Sequence, residues 1–303
     1  MGFVMDKRFY YGGQAVIEGV MMRGRKAAVI AVRRPNGEVV IDPQPLLAIS
    51  TSRARRIPLI RGVVVLIESM VLGIKALLHS ANLSMEEEEE KEKISGWVAW
   101  GAMVGSVALV VALFFLAPLF LANLVGGYIQ SSIVFHLIEG FIRLGIFIAY
   151  LKLMTLSPSI RRVFAYHGAE HKVVNAYEAG VPLEMEAVKR YSTAHVRCGT
   201  SFLFIVLIIA IIVFALIGRP SLGVMVLSRV VLIPAIAALG YEATYFGARH
   251  SDSRLVKAFL APGLWLQGLT TSEPDDSQLE VALSALKRMV EIDGVEEAAQ
   301  ASS

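Results

Sequence analysis

Residues 97–125 read WVAWGAMVGSVALVVALFFLAPLFLANLV, without one charged side chain. About 20 apolar residues in helical form cross the hydrocarbon core of a bilayer. The stretch therefore sets the class as an integral membrane protein, and Pro118 within it predicts a kink. Working outward, residues 132–154 form a second apolar span, with Glu139 and Arg143 four residues apart on one helix face. Charges in lipid are costly and face the bundle interior, so these two are expected to pair with each other. Residues 202–217 are wholly apolar and make a third span. Residues 222–240 make a fourth, with Arg229 inside it and a tight turn at 218–221 before it. Arg229 is a candidate partner for Glu139 across helices.

The whole chain agrees with that class. Of its 303 residues, 55% are hydrophobic and 18% charged, with a mean hydropathy of +0.59. This is too apolar for an ordinary soluble protein. A net charge of +3 gives no basic excess of the kind that nucleic acid requires. The single cysteine, Cys198, excludes an internal disulfide framework and suits a reducing compartment or a metal ligand. No apolar signal core stands at the N-terminus. Residues 1–96 hold 14 of the 29 lysines and arginines, residues 155–201 hold 6 and residues 241–303 hold 5. The loop at 126–131 holds none, and the loop at 218–221 holds only Arg219. The positive-inside rule then puts both termini in the cytoplasm, which four spans allow.

Outside the spans the chain is polar. Residues 11–24 are glycine-punctuated and β-like, without the Gly-Lys-Ser/Thr ending of a phosphate loop. Asn36-Gly37 between apolar runs signals a hairpin. Residues 56–83 form an apolar helix with Arg61, Glu68, Lys75 and His79 along one edge. They read either as an interfacial or packed helix whose charges are satisfied, or as a source of metal ligands in Glu68 or His79. The acidic run at 85–93 is a solvated linker or helix end. Helices are expected from Ser157-Pro158 to about Ala179 and over 183–191. A basic amphipathic segment follows at 241–260, and a soluble helix is capped near Asp275 with Leu279, Leu283, Leu286 and Val290 on one face. Gly294 marks its end, and the tail from Val295 is expected to be disordered.

The chemistry concentrates in Tyr166-His167-Gly168-Ala169-Glu170-His171-Lys172. Residues four apart on a helix share a face, so His167 and His171 are placed to grip one ion. The pattern is the inverted zincin motif. Zinc lowers the pKa of a bound water toward about 7, and a neighbouring carboxylate takes its proton; Glu170 is the candidate base. The bland alternative is an amphipathic helix whose polar face happens to carry these residues. A third ligand is required: His195 is the first choice, Cys198 the second, and Glu242 at the end of the fourth span a further candidate. Glu178 lies about 10 Å beyond His171 on a continuous helix, too far for the same ion. It is assigned with Arg197 to supporting the ligands from behind. Arg197 beside Cys198 favours a thiolate. If His167, His171, His195 and Cys198 all bind, the shell is closed and the zinc structural. Cysteine nucleophilic catalysis with His195 lacks an evident orienting residue.

These residues also carry a resemblance. Residues 12–24, 166–172, Ala176-Tyr177-Glu178, His195-x-Arg197-Cys198-Gly199-Thr200-Ser201-Phe202, Gly240-Tyr241-Glu242 and Thr270-Thr271-x-Glu273-Pro274-Asp275-Asp276 resemble the YqhQ-like family of bacterial multi-pass membrane proteins over nearly the whole chain. The resemblance implies a predicted metal-dependent enzyme and names no substrate. Val196 stands where the family pattern has proline. The residue pattern gives no chemistry for 12–24 and 270–276, which are expected to pack on the metal helix with Glu18 as a polar contact.

The resulting expectation is a mainly α membrane protein with about four transmembrane helices, a cytoplasmic metal-site helical region and a small N-terminal β-unit. The divisions are 1–55 (β-unit), 56–96 (amphipathic helix and acidic linker), 97–154 (spans one and two), 155–201 (metal-site segment), 202–240 (spans three and four) and 241–303 (C-terminal helices and tail). The expected function is a multi-pass cell-membrane enzyme using zinc, or another divalent transition metal, to hydrolyse an amide or ester bond at the cytoplasmic face. Its partners are the lipid bilayer and a substrate that is a membrane protein or a lipid-linked molecule, not nucleic acid. The alternatives are a scaffold or assembly factor with structural zinc, and a transporter using Glu139, Arg143 and Arg229; the absence of repeats weakens the second.

Overall fold

The glycine-punctuated N-terminal segment forms four short strands, β1 (Gly12–Val16), β2 (Gly19–Arg23), β3 (Ala27–Arg33) and β4 (Val39–Pro45). They pair antiparallel in sequence order. A computed structural model describes residues 11–25, 27–46, 57–84, 96–250 and 253–301. The β3–β4 hairpin turns at Asn36-Gly37 as expected. Gly37 takes a φ of +89°, and Asn36 Oδ1 accepts from the Glu38 amide at 2.9 Å. Successive side chains of a strand face opposite sides, and here both sides are covered. Val20, Met22, Val29 and Ala31 face one core, while Met21, Ala28, Ile30 and Val32 face another. That double burial explains why β3 is apolar at nearly every position instead of alternating.

Helix α1 (Ile60–Ser84) lies over the second face through Leu72 and Ala76. Its polar edge is satisfied by other elements. Glu68 pairs with Arg23, His79 Nε2 stands 2.9 Å from Asp42, Arg61 Nε donates to Glu242 at 2.8 Å, and Lys75 is exposed. The metal-ligand reading of Glu68 and His79 therefore falls away, because both turn to the sheet. The acidic run at 85–93 lies outside the described residues.

Two apolar rods follow. Helix α2 (Gly96–Val111) passes through a π-helical turn at Ala112–Leu116 into α3 (Ala117–Leu124). The expected disturbance at Pro118 is this widened turn. Proline has no N–H for the carbonyl four residues earlier, and Arg143 Nε donates to that carbonyl, Phe114 O, at 2.8 Å. Helix α4 (Ser132–Met154) packs on α3 around Leu119, Ala122 and Phe135.

Next come α5 (Pro158–Glu178) and α6 (Met185–Val188). Helix α5 begins with Pro158 in its first turn and ends before Gly180, whose φ is +71°. The helix expected over 183–191 is only four residues long. The chain turns out of it so that the Lys189, Ser192 and Ala194 carbonyls can accept from Lys172 and Asn175 on α5. Helix α7 (Gly199–Ile217) is followed by α8 (Leu222–Val231) and α9 (Ile233–Arg249). The expected fourth span over 222–240 is thus not one straight helix; α8 and α9 meet at a 50° bend. Helix α10 (Arg254–Gln267) leads to α11 (Asp276–Ala301). Asp275 and Gln278 cap α11 reciprocally, with Gln278 N donating to Asp275 Oδ1 at 2.9 Å and Asp275 N to Gln278 Oε1 at 3.0 Å. The helix continues through Gly294 to Ala301, where a stop and a disordered tail were expected.

By length and composition, Ile60–Ser84, Val104–Leu124, Ser132–Met154 and Gly199–Ile217 could each cross a membrane, and the bent α8–α9 pair qualifies as a broken fifth. The sheet is not a separate body. Val20, Met22 and Val29 share one core with Tyr166, Ala169 and Val173 of α5 and with Leu279, Leu286 and Met289 of α11.

Between the apolar helices sits a buried ion cluster. Glu139 accepts from Arg143 at 2.7 Å and from Arg229 at 2.6 Å. His136 Nδ1 is 3.0 Å from the same carboxylate, and its other ring nitrogen donates to Gly218 O at 2.9 Å. The cross-helix pair of Arg229 and Glu139 is therefore made. Removing the carboxylate that two guanidinium groups share strands charge in an apolar interior, at a cost of about 3–5 kcal/mol. Glu139→Gln is accordingly expected to lower the thermal midpoint in detergent sharply, and Arg229→Met, which leaves Glu139 paired with Arg143, to lower it less. Glu139→Gln combined with Arg229→Met is expected to lose less than the sum of the single variants, measured as a double-mutant cycle.

Candidate metal centre

The site is built on α5. His167 and His171 stand one turn apart with ring centroids 4.4 Å from each other. Each ring is tied from behind by a backbone carbonyl: His167 Nδ1 to Thr270 O at 2.9 Å and His171 Nδ1 to Thr193 O at 2.5 Å. A carbonyl only accepts, so both Nδ1 atoms carry the proton and both Nε2 atoms present a lone pair. Metal-binding histidines are commonly oriented in this way.

The third converging atom is Cys198 Sγ, 3.4 Å from His167 Nε2. The donor atoms of His167, His171 and Cys198 all lie within 4.8 Å of one another. Cys198 occupies the N-cap of α7, and its sulfur accepts from the Thr200 amide at 3.4 Å. The positive end of that helix is complementary to a thiolate. Two imidazoles and a thiolate form a donor set suited to zinc.

His195, the expected third ligand, lies beside this trio and not in it. Its ring centroid is 5.7 Å from that of His171. Its Nε2 is 3.5 Å from Glu178 Oε2, and its Nδ1 accepts from the Arg197 amide at 3.4 Å. Glu178 lies about two turns beyond His171 on α5, and this carboxylate draws the ring along the helix. Burial pushes the Glu178 carboxyl up. Hydrogen bonds from His195 and Arg197 outweigh burial and hold it below the ordinary carboxylate range. Glu242 is engaged by Arg61 and by the Leu59 amide at 3.0 Å and is not part of the trio.

Glu170 is 5% exposed, with Oε2 3.5 Å from His171 Nε2. Beside it opens a cavity of about 590 Å³, walled by Gly13 and Gln14 of β1, Val65 and Ser69 of α1, and Tyr241 and Tyr245 of α9. Gly13 is needed for this approach, since a Cβ there would stand 2.5 Å from Met21 O and 2.9 Å from Glu170 Cγ. The N-terminal glycine motif thus forms one wall of the site. As expected, Glu18 contacts α5, accepting from Arg162 Nε at 2.6 Å.

Residues 270–276 also pack on the metal helix. Ser272 N donates to Phe164 O at 3.0 Å, and Glu273 pairs with Lys172 at 2.6 Å. Residue-type reasoning passed over Gln267. Fully buried, it accepts from His195 N at 2.9 Å and donates to His195 O at 2.8 Å and Ser201 Oγ at 2.7 Å. It clamps the loop that delivers Cys198. A lone glutamine at the end of an amphipathic helix carries no distinguishing pattern.

Gly168 lets the 270–276 segment lie against α5, because a Cβ there would meet Ser272 O at 2.1 Å. Forcing atoms into such a contact costs about 1–3 kcal/mol. Gly168→Ala is therefore expected to lower the unfolding midpoint. Gly145→Ala, where nothing lies within 4 Å, is expected to leave it unchanged or raise it slightly.

Residues 57–292 match a family model described as a protein of unknown function, DUF1385. The chain is 34% identical over 309 residues to the uncharacterized protein YqhQ of Bacillus subtilis (strain 168), covering 97% of this chain and 96% of that protein. No solved structure matches.

Proposed function

We propose that this chain, which belongs to the DUF1385 family, is a membrane metal-dependent hydrolase with its site at the cytoplasmic face. The observation that carries the reading is a three-donor cluster beside a cavity that holds a carboxylate. A catalytic metal keeps three protein ligands and an open side, whereas a structural one is closed by four. His167, His171 and Cys198 supply three, and Glu170 borders the cavity next to them. The closed-shell scaffold reading requires His195 as the fourth, and its ring stands outside the close grouping of the three donor atoms. The excess of lysine and arginine in the N-terminal, 155–201 and C-terminal segments supports the cytoplasmic placement.

His167, His171 and Cys198 would hold the ion, and a bound zinc supplies Lewis acidity that polarises an amide or ester carbonyl. The chain's own groups do the rest. Glu170 takes a proton from the attacking water as its oxygen bonds to the carbonyl carbon. It then returns that proton to the departing amine or alcohol as the C–N or C–O bond breaks. The carbonyls of Thr193 and Thr270 keep both imidazoles aimed throughout.

Purified protein is expected to carry one zinc per chain by elemental analysis. His167→Ala, His171→Ala and Cys198→Ser should lose it, whereas Glu170→Gln and His195→Asn should keep it. Zinc lost in His195→Asn would restore the closed shell and remove the catalytic reading. Turnover of a chromogenic long-chain acyl ester should fall by about 10²–10⁴ in Glu170→Gln, the usual contribution of a general base. Equal turnover in wild type and Glu170→Gln counts against hydrolysis.

A further inference from the structure

Helix α1 is long and apolar enough to cross a bilayer, yet the fold leaves no crossing for it. The sheet precedes α1 in the chain, and α5 follows α4. Sheet and α5 share one apolar core, so both lie on the same side of any membrane. Among the described residues, α1, the α2–α3 rod and α4 are the apolar elements that separate them in sequence, so the number of crossings among these three is even. The α2–α3 rod and α4 pack on each other and supply two, which leaves none for α1. Between α5 and α11 the same parity pairs α7 with the bent α8–α9 unit. Helix α10, with 14 residues, is about 21 Å long and too short to cross.

The contacts of α1 fit this count. Glu68 reaches Arg23, Leu72 and Ala76 pack on the sheet, and Ser80 Oγ accepts from Ile17 N at 3.2 Å. From Glu68 to Ser80, about 18 Å of helix, α1 runs along the sheet. Its start rests on α9, where Gly62 approaches Ala238 and Tyr241. At that junction Tyr245 lies between Arg61, 4.2 Å from its ring, and Arg249, at 4.4 Å. Tyrosine and cationic side chains of this kind gather at headgroup depth. The inward face of α1 gives Val65, Ser69 and Leu72 to the cavity. The opposite face carries Ile60, Ile67, Ile74 and Leu78, one stripe by helical spacing, with exposures of 47%, 48%, 36% and 50%.

We propose that this stripe is a lipid-contact surface. Helix α1 lies flat in the boundary between headgroups and acyl chains, and its other face roofs the metal-site cavity. The partner is the bilayer leaflet itself. The cavity then sits about one helix diameter, roughly 10 Å, below the lipid, which suits a substrate whose scissile bond lies at the membrane surface. The inference rests on the membrane placement proposed above and not on the metal.

The test uses full-length protein in vesicles of phosphatidylethanolamine and phosphatidylglycerol. Nitroxide labels go onto Ile60→Cys, Ile67→Cys, Ile74→Cys and Leu78→Cys, with labelled wild type as background for the buried Cys198. Depth is read by power saturation with oxygen and a polar nickel reagent. A flat helix places all four labels at one shallow depth. A crossing helix spreads Ile60 and Leu78 over about 27 Å and overturns the proposal. Labels in water overturn it too, as do dipolar-broadened labels shielded from both reagents, which would assign the stripe to a second copy. A protease site inserted between Ser84 and Gly96 gives a label-free check. Cleavage from the same side as a site at the amino terminus agrees; cleavage from the opposite side refutes. Neither readout needs bound metal, so failure here leaves the zinc measurement standing, and absence of zinc leaves this result standing.

Discussion

Two backbone carbonyls hold the centre of this molecule. Thr193 O and Thr270 O each take the Nδ1 proton of one α5 histidine, and everything that aims the site follows from their positions. They come from segments on either side of the α7–α10 helices, 22 and 103 residues from the histidines they hold. They reach it because Asn175 binds the Ser192 and Ala194 carbonyls and because Gly168 lets Ser272 approach. An isolated helix with two histidines would rotate both rings freely. Here tertiary hydrogen bonds select one tautomer and one orientation for each, and the ordering entropy is met by packing instead of by a ligand.

The site lies where polar and apolar halves of the chain join. Cys198 caps the first turn of α7, so the same residue begins an apolar rod and completes the donor trio. Gln267 at the end of α10 clasps both strands of this junction, binding His195 and Ser201. Thr200 and Thr270 share a hydroxyl contact of 2.9 Å across it. This buried polar network is satisfied throughout, which is what allows such groups to be buried without a large penalty.

Deeper in the apolar helices a second polar centre solves a different problem. Proline at 118 strips a donor from Phe114 O, and Arg143 replaces it while also binding Glu139. Arg229, on the helix that bends 50° into α9, joins the same carboxylate. Phe214 presents its face to Arg229 at 4.2 Å, offsetting part of the positive excess. One carboxylate thus ties together a broken rod, a widened turn and a straight helix.

The mainly helical build, its long apolar helices and the small N-terminal sheet were legible in the sequence. Uninterrupted apolar runs, the His-x-x-Glu-His spacing, the Asn36-Gly37 hairpin, the stop at Gly180 and the cap at Asp275 all act through neighbours in the chain, where period and sterics decide. The placement of α5 residues on one face followed from helix geometry alone. What sequence left open depended on contacts between distant segments. Cys198 joins the donor atoms of the two α5 imidazoles, while His195 stands beside them with its Nε2 toward Glu178, an arrangement set by the folding of the 189–198 loop onto α5. The bend at Leu232, by contrast, had a local cue in Pro234 at the start of α9, which hydropathy alone does not register. The role of Gly13 needed the sheet to be laid against Glu170 before it had a meaning. Local propensity cannot register a close approach between backbones more than a hundred residues apart; only the folded packing sets that distance.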